Sequence, residues 1–91
     1  MGEKEFAKEL GIKFDGYETT DGAYVIDLPN SNEFSKIYTL LDKNEDIDLD
    51  IEGSHFTGEL IEMLYLAEDF DILLKGDLKN NVYSVEIKEA I

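Results

Sequence analysis

The stretch DIDLDIE, residues 46–52, alternates strictly between acidic and apolar side chains. Successive side chains of a β-strand point to opposite faces of a sheet, so this period of two predicts a half-buried strand. Ile47, Leu49 and Ile51 would lie on its buried side, and the four carboxylates would lie on the other. The strand therefore predicts a sheet with one packed face and one face in water.

A short helix and a hairpin are predicted at the start of the chain. Residues 3–10 are good helix formers, and Gly11 follows them where a helix-terminating glycine is common. Thr20-Asp21-Gly22 then separates two β-type runs, residues 12–19 and 23–28. Asp-Gly between such runs is a strong signal for a tight turn, so we expect the two runs to pair.

Two longer helices are predicted in the rest of the chain. Asn30, Ser31 and Asn32 are candidate N-caps for a helix over residues 32–43, whose apolar positions recur at spacings of three and four. Residues 58–68 are strong helix formers whose apolar positions nearly encircle a helix, which predicts a largely buried helix. A fully buried strand fits this second stretch almost as well, because a continuous apolar run does not distinguish the two.

Two more strands are predicted at the end of the chain, one containing Phe70, Ile72 and Leu74 and one after a turn in residues 76–81. The order of elements predicts an α+β fold in a single domain, residues 1–91. We expect a mainly antiparallel sheet of about five strands, with the two longer helices on one face and a short N-terminal helix. The opposite face would then remain open to water.

The charge of the chain limits its partners. Asp and Glu number 22 against eight basic residues, all of them Lys, for a formal net charge of −14. This field repels nucleic acid and anionic membranes, and the absence of Arg removes the planar group that binds phosphate with two hydrogen bonds. We therefore expect a basic protein partner, no direct contact with nucleic acid or membrane, and, from the absence of Cys and of a long apolar run, a cytoplasmic location.

Recognisable catalytic patterns are missing from the sequence. The chain has no Cys and one histidine, His55, and its seven glycines are scattered singly, without a phosphate-binding loop. Asp42, Asn44 and Asp46 match the start of a calcium-binding EF-hand loop, but Ile47 stands where that loop needs Gly. We expect a protein that is not an enzyme, with no catalytic residues, no cofactor and no dedicated metal site.

The acidic side of the 46–52 strand is the candidate site. Neighbouring carboxylates on one side of a strand lie roughly 6.6–6.8 Å apart, a spacing that matches a groove built for a phosphate backbone. Other acidic residues flank this row in sequence, and we expect some of them to lie near it in the fold. The predicted partner-binding residues are Asp42, Glu45, Asp46, Asp48, Asp50, Glu52, Glu68, Asp69 and Asp71.

Three interpretations of this row are compatible with the sequence. In the first, the protein mimics nucleic acid and inhibits a partner by covering its basic nucleic-acid-binding surface; in charge and size it resembles phage-encoded inhibitors of host nucleases and immunity proteins against nuclease toxins. In the second, the charges only keep an edge strand in solution. In the third, the chain is an accessory domain that acts as a homodimer or assembly subunit through an apolar patch, and its acidity serves solubility.

Overall fold

A computed structural model of the protein describes residues 1–90. Two helices and six strands follow one another in the order α, β, β, α, β, β, β, β. Their bounds are α1 Glu3–Leu10, β1 Tyr17–Glu18, β2 Tyr24–Leu28, α2 Ser31–Lys43, β3 Asp48–Thr57, β4 Leu60–Leu66, β5 Phe70–Asp77 and β6 Val82–Glu89.

The six strands form one antiparallel sheet in the order β1-β2-β6-β5-β4-β3. The last four strands form a meander of consecutive hairpins, and β2 pairs with β6 to bring the N-terminal hairpin alongside. Among the described residues, β1 and β3 are therefore the two edges of the sheet. The predicted α+β class with an antiparallel sheet is confirmed.

Both helices pack on the same face of the sheet. The ring of Phe6 in α1 stacks on Phe70 with 4.5 Å between ring centroids, and Phe34 in α2 lies 5.3 Å from Tyr83. Strand pairing places these two sheet residues on one face, together with the fully buried Ile26 and Val85. Burial of this apolar surface on one side is the main stabilising contribution that the architecture offers.

The N-terminal helix is confirmed at its predicted bounds, and Gly11 ends it in a left-handed conformation with φ of 95°. The predicted first strand, residues 12–19, is wrong over most of its length, since only Tyr17 and Glu18 pair with β2. The amide of Ile12 instead donates to the carbonyl of Ala7, and its side chain is buried in the core. This contact directs the chain along the helix end before it reaches the sheet.

The helix predicted over residues 32–43 is confirmed with one more residue at its start. Asn30 caps it, because its side-chain oxygen accepts a hydrogen bond from the amide of Glu33 at 2.9 Å. Phe34, Ile37 and Leu41 form its buried side, and the helix packs on β2, β5 and β6.

The helix predicted over residues 58–68 is wrong, and the alternative of a strand is the one observed, because residues 60–66 form β4. This strand lies between β3 and β5 and pairs with both over most of its length. Its apolar residues line both faces: Met63 and Tyr65 are buried beneath the helices, whereas Leu64 and Leu66 lie on the opposite face. The run is apolar on all sides because both faces of an inner strand are covered or partly covered, and tertiary pairing overrides the helical propensity. The described chain thus has two helices and six strands.

Candidate protein-binding face

The face of the sheet opposite the helices, here called the open face, presents its side chains in rows that cross the strands. Residues directly opposite each other in an antiparallel pair point to the same side, so the pairing of the strands defines these rows. The rows are Asp48, Leu66, Asp71 and Lys88; Asp50, Leu64, Leu73, Glu86, Val25 and Tyr17; His55, Glu62, Lys75, Ser84 and Asp27; and Thr57, Leu60, Asp77 and Val82.

The first row brings together two predicted site residues that are distant in sequence. Asp48 on β3 and Asp71 on β5 stand on either side of Leu66, so their backbones are about 10 Å apart, or two strand spacings. Over the four rows, the open face holds seven carboxylates against two lysines, Lys75 and Lys88. Negative charge therefore extends across several strands rather than along one.

Apolar side chains occupy the middle of this acidic face. Leu64 and Leu73 are adjacent on neighbouring strands and partly buried, and Leu66 retains 39 % of its accessible surface. An apolar centre with a charged rim is the usual composition of a surface that binds another protein. The open face is thus suited to protein contacts as well as to charge attraction.

The four-carboxylate row predicted along one strand is only partly correct. Asp46 lies in the turn before β3, where its amide donates to the Asn44 side chain at 2.9 Å. The strand begins at Asp48, and its register with β4 shifts between Asp50 and His55, which marks a β-bulge. The strict alternation of the sequence therefore describes the strand correctly at Asp48 and Asp50 but not through Glu52.

Side-chain hydrogen bonds hold this bulge together. The Asp50 carboxylate accepts a hydrogen bond from the amide of Gly53 at 3.2 Å. The Ser54 hydroxyl donates to the carbonyl of Asp50 at 2.7 Å and accepts from the amide of Leu64 at 3.0 Å. Asp50 and Ser54 thus have structural roles, and the Ser54 hydroxyl is already engaged in the bulge rather than with His55.

The bulge also changes which apolar residues of β3 are covered. Ile47 is buried as predicted, but Leu49 and Ile51 are 39 % and 76 % exposed. Phe56, beyond the bulge, is 60 % exposed. The predicted buried side of this strand is therefore wrong for Leu49 and Ile51, and Ile51 is the more exposed of the two because it lies within the bulge.

The remaining predicted site residues lie at one end of the sheet. Asp42 is exposed near the end of α2, Glu45 lies in the turn that follows, and Glu68 and Asp69 form the turn between β4 and β5. A groove of about 500 Å³ brings Asp46, Glu68 and Asp69 together with Glu9 of α1 around an apolar floor that includes Phe6 and Phe70. Tertiary structure thus joins two of the acidic groups that the sequence separates.

A long stretch without basic residues is a sequence signal that the pattern of any single strand does not reveal. Between Lys43 and Lys75 the chain has no Lys or Arg, whereas it has ten Asp and Glu residues: Glu45, Asp46, Asp48, Asp50, Glu52, Glu59, Glu62, Glu68, Asp69 and Asp71. This segment forms β3, β4 and the start of β5. The sheet is therefore strongly anionic on its β3 side.

Within residues 1–90, none of these ten carboxylates forms an ion pair. Over residues 1–90, the two ion pairs join Lys36 to Glu33 and Lys88 to Asp21, each at 3.2 Å. Neither pair includes a predicted site residue. The field of the β3 side is thus available to an outside partner.

One buried polar group lies next to this region. In the part of the chain that the structure describes, the hydroxyl of Tyr65 has no hydrogen-bond partner. Burial, together with the nearby Tyr38 and Asp42, raises the pKa of Tyr65 to about 12. The hydroxyl therefore stays protonated at neutral pH and is a destabilising element of the core.

No three acidic or histidine side chains within residues 1–90 are arranged to hold a metal ion. His55 faces Glu62 across the β3–β4 pair. Of the helices in residues 1–90, neither α1 nor α2 is long and apolar enough to cross a membrane.

Comparisons with protein-family models, with curated proteins and with solved structures found no match.

Proposed function

We propose that this protein is a non-enzymatic interaction protein that inhibits a partner by covering its basic, nucleic-acid-binding surface. The observation that supports this most directly is the lysine-free segment 44–74, which forms the β3 side of the sheet and has ten carboxylates. Such a field attracts a basic surface from a distance and accelerates association in a salt-dependent way.

The shape of the open face supports the same function. A nucleic acid presents negative charges at regular spacing on both sides of a groove, and the open face presents Asp48 and Asp71 on both sides of Leu66. The leucines in the middle add aliphatic contacts to the attraction between charges. A basic protein would thus gain affinity from both charge and burial, and its own ligand would be displaced.

Self-assembly is the second candidate, and the exposed Ile51 and Phe56 are the observation that favours it. An apolar dimer persists at high salt, whereas a charge-driven complex weakens as the ionic strength rises. The carboxylates beside these residues oppose a dimer at low salt, so we rank inhibition of a basic partner first.

A capture experiment from lysate tests the first function. The test variant combines Asp48→Asn, Glu52→Gln and Asp71→Asn, and it leaves Asp50 intact because Asp50 accepts the bulge hydrogen bond. The control variant combines Glu5→Gln, Asp15→Asn and Glu18→Gln, three exposed acids elsewhere, so that both variants lose the same charge.

We expect the wild type and the control variant to retain a nucleic-acid-binding protein that DNA or RNA displaces and that elutes in moderate salt. The test variant should lose it. If all three proteins retain the same salt-resistant partner, or only copies of themselves, the inhibitory function is wrong and the apolar surface is the functional one.

A further inference from the structure

The outer edge of β3 is an open hydrogen-bonding surface. β3 has ten residues, ends the sheet, and its neighbour in the described chain is β4 alone. Edge strands are commonly protected by short length, by charged side chains, especially Lys, by Pro, or by a bulge. β3 has the bulge and three acids, but it is long and has neither Lys nor Pro.

The direction of the outward backbone groups follows from the pairing. Leu64, opposite Asp50, turns its amide toward β3, where it donates to Ser54. Because amide direction alternates along a strand and is shared by facing residues, Asp50 turns its backbone groups toward β4 and Leu49 turns its own outward. Glu62 is two residues from Leu64 on β4, so it also turns its backbone groups toward β3, and its partner His55 turns its own toward β4. The backbone groups of the next residue, Phe56, therefore point outward.

Side chains along this edge combine exposed apolar groups with acids. Leu49, Ile51 and Phe56 are 39 %, 76 % and 60 % exposed. Asp48 and Asp50 lie on the open face of the same strand. Charge alone would keep the edge soluble, but it does not account for three large apolar side chains beside it.

Charge complementarity indicates which kind of strand can pair with the outer edge of β3. A second copy adding its own β3 would place the carboxylates of two strands side by side, with no Lys or Arg in residues 44–74 of either chain, and directly opposed like charges are destabilising. An extended segment with alternating basic and apolar residues would instead place its basic side chains beside Asp48 and Asp50. Its apolar side chains would lie beside Leu49 and Phe56.

We propose that the outer edge of β3 binds an extended, Lys- or Arg-bearing segment of the partner protein as a seventh strand of the sheet. This inference rests on the proposed function and names the mode of binding. Main-chain hydrogen bonds at Leu49 and Phe56 give affinity, and the alternating side chains give specificity.

Model peptides test this mode directly. The first peptide alternates Lys and Val over the length of β3. The second peptide has the same sequence, but backbone amides that point to either side of the strand are N-methylated. N-methylation prevents strand pairing and leaves the charge unchanged. A third replaces Lys with Glu. Binding is followed by amide NMR shifts and by hydrogen exchange at low ionic strength.

We expect the first peptide to shift the NMR signals of the Leu49 and Phe56 amides and to slow their hydrogen exchange. The N-methylated peptide should bind about tenfold more weakly, because one or two strand hydrogen bonds are lost. The Glu peptide should not bind. Equal affinity of the first two peptides, or the absence of any effect on β3, would overturn strand addition.

The two proposals fail separately. Equal binding of the methylated and unmethylated peptides shows attraction by charge without strand pairing, and the inhibitory function then still depends on the capture experiment. A β3-mediated dimer in sedimentation experiments at low salt would overturn the choice of a basic partner as the occupant.

Discussion

The hydroxyl of Ser54 accepts a hydrogen bond from the backbone amide of Leu64 at 3.0 Å. The same hydroxyl donates to the carbonyl of Asp50, so one side chain satisfies two main-chain groups that the bulge removes from the β-ladder. The bulge in turn separates the acids of β3 and exposes Ile51. The geometry of the candidate face therefore depends on a serine outside the acidic residues.

Replacing this hydroxyl should destabilise the protein. We expect Ser54→Ala to lower the free energy of unfolding by about 1–2 kcal/mol, because two partly buried main-chain groups lose their partner. Ser54→Thr keeps the hydroxyl and should cost less. Urea unfolding of the three proteins checks this, and equal stability of the Ala and Thr variants would mean that water replaces the hydroxyl without loss.

Two buried tyrosines should respond in opposite directions to the same change. Tyr65→Phe removes a buried hydroxyl without a described partner and should raise stability by about 1 kcal/mol, or the melting temperature by roughly 4–8 °C. Tyr24→Phe removes the acceptor of the Gly16 amide, 2.8 Å away, and should lower stability by about 1 kcal/mol. Thermal unfolding measures both, and a loss of stability in Tyr65→Phe would contradict the first expectation.

Close packing of α2 on the sheet predicts a cost for adding one methyl group. A Cβ at Gly76 would lie 3.0 Å from Phe34 and 3.2 Å from Tyr83, so an aromatic ring has to move. We expect Gly76→Ala to cost about 1–3 kcal/mol. Phe34→Leu in the Gly76→Ala background should recover part of this, which a double-mutant cycle in urea measures. Strictly additive effects would contradict the contact.

Acid sensitivity should arise in part from the turn between β5 and β6. Hydrogen bonds from the Asn80 side chain and amide hold the pKa of Asp77 below its usual 3.8. A carboxyl group whose pKa is lower in the folded than in the unfolded protein stabilises the fold fully at pH values above its unfolded pKa. This stabilisation is lost as the pH falls through the folded pKa. The contribution of Asp77 should therefore disappear at pH values below about 3.8.

A comparison of Asp77→Asn with the wild type isolates this contribution. Melting temperatures between about pH 6 and about pH 2 should converge for these two proteins as the pH falls. Asp15→Asn, an exposed acid for which the structure describes no hydrogen bond, is the control. A constant difference between Asp77→Asn and wild type over the whole range would show that the hydrogen bonds do not depend on the charge.

Much of the fold was predictable where local rules decide it. The α1 helix ends at the expected Gly11, α2 follows an Asn cap, and β5 and β6 follow their period of two. The candidate acids were predictable as a group, since the charge is local in sequence. Their arrangement was not, because Asp48 and Asp71 share a row only through the intervening strand β4.

Local patterns in the amino-acid sequence were sufficient to predict the α+β fold class, the positions of both helices, and the strong negative charge of segment 44–74. Capping residues, apolar periodicity and charge act over a few residues, so they can be identified without a fold. Three features became evident only from the three-dimensional fold: residues 60–66 form an inner strand, a bulge interrupts β3, and β3 is the open edge. Those features depend on which strands pair, and pairing is decided by contacts between residues far apart in the chain.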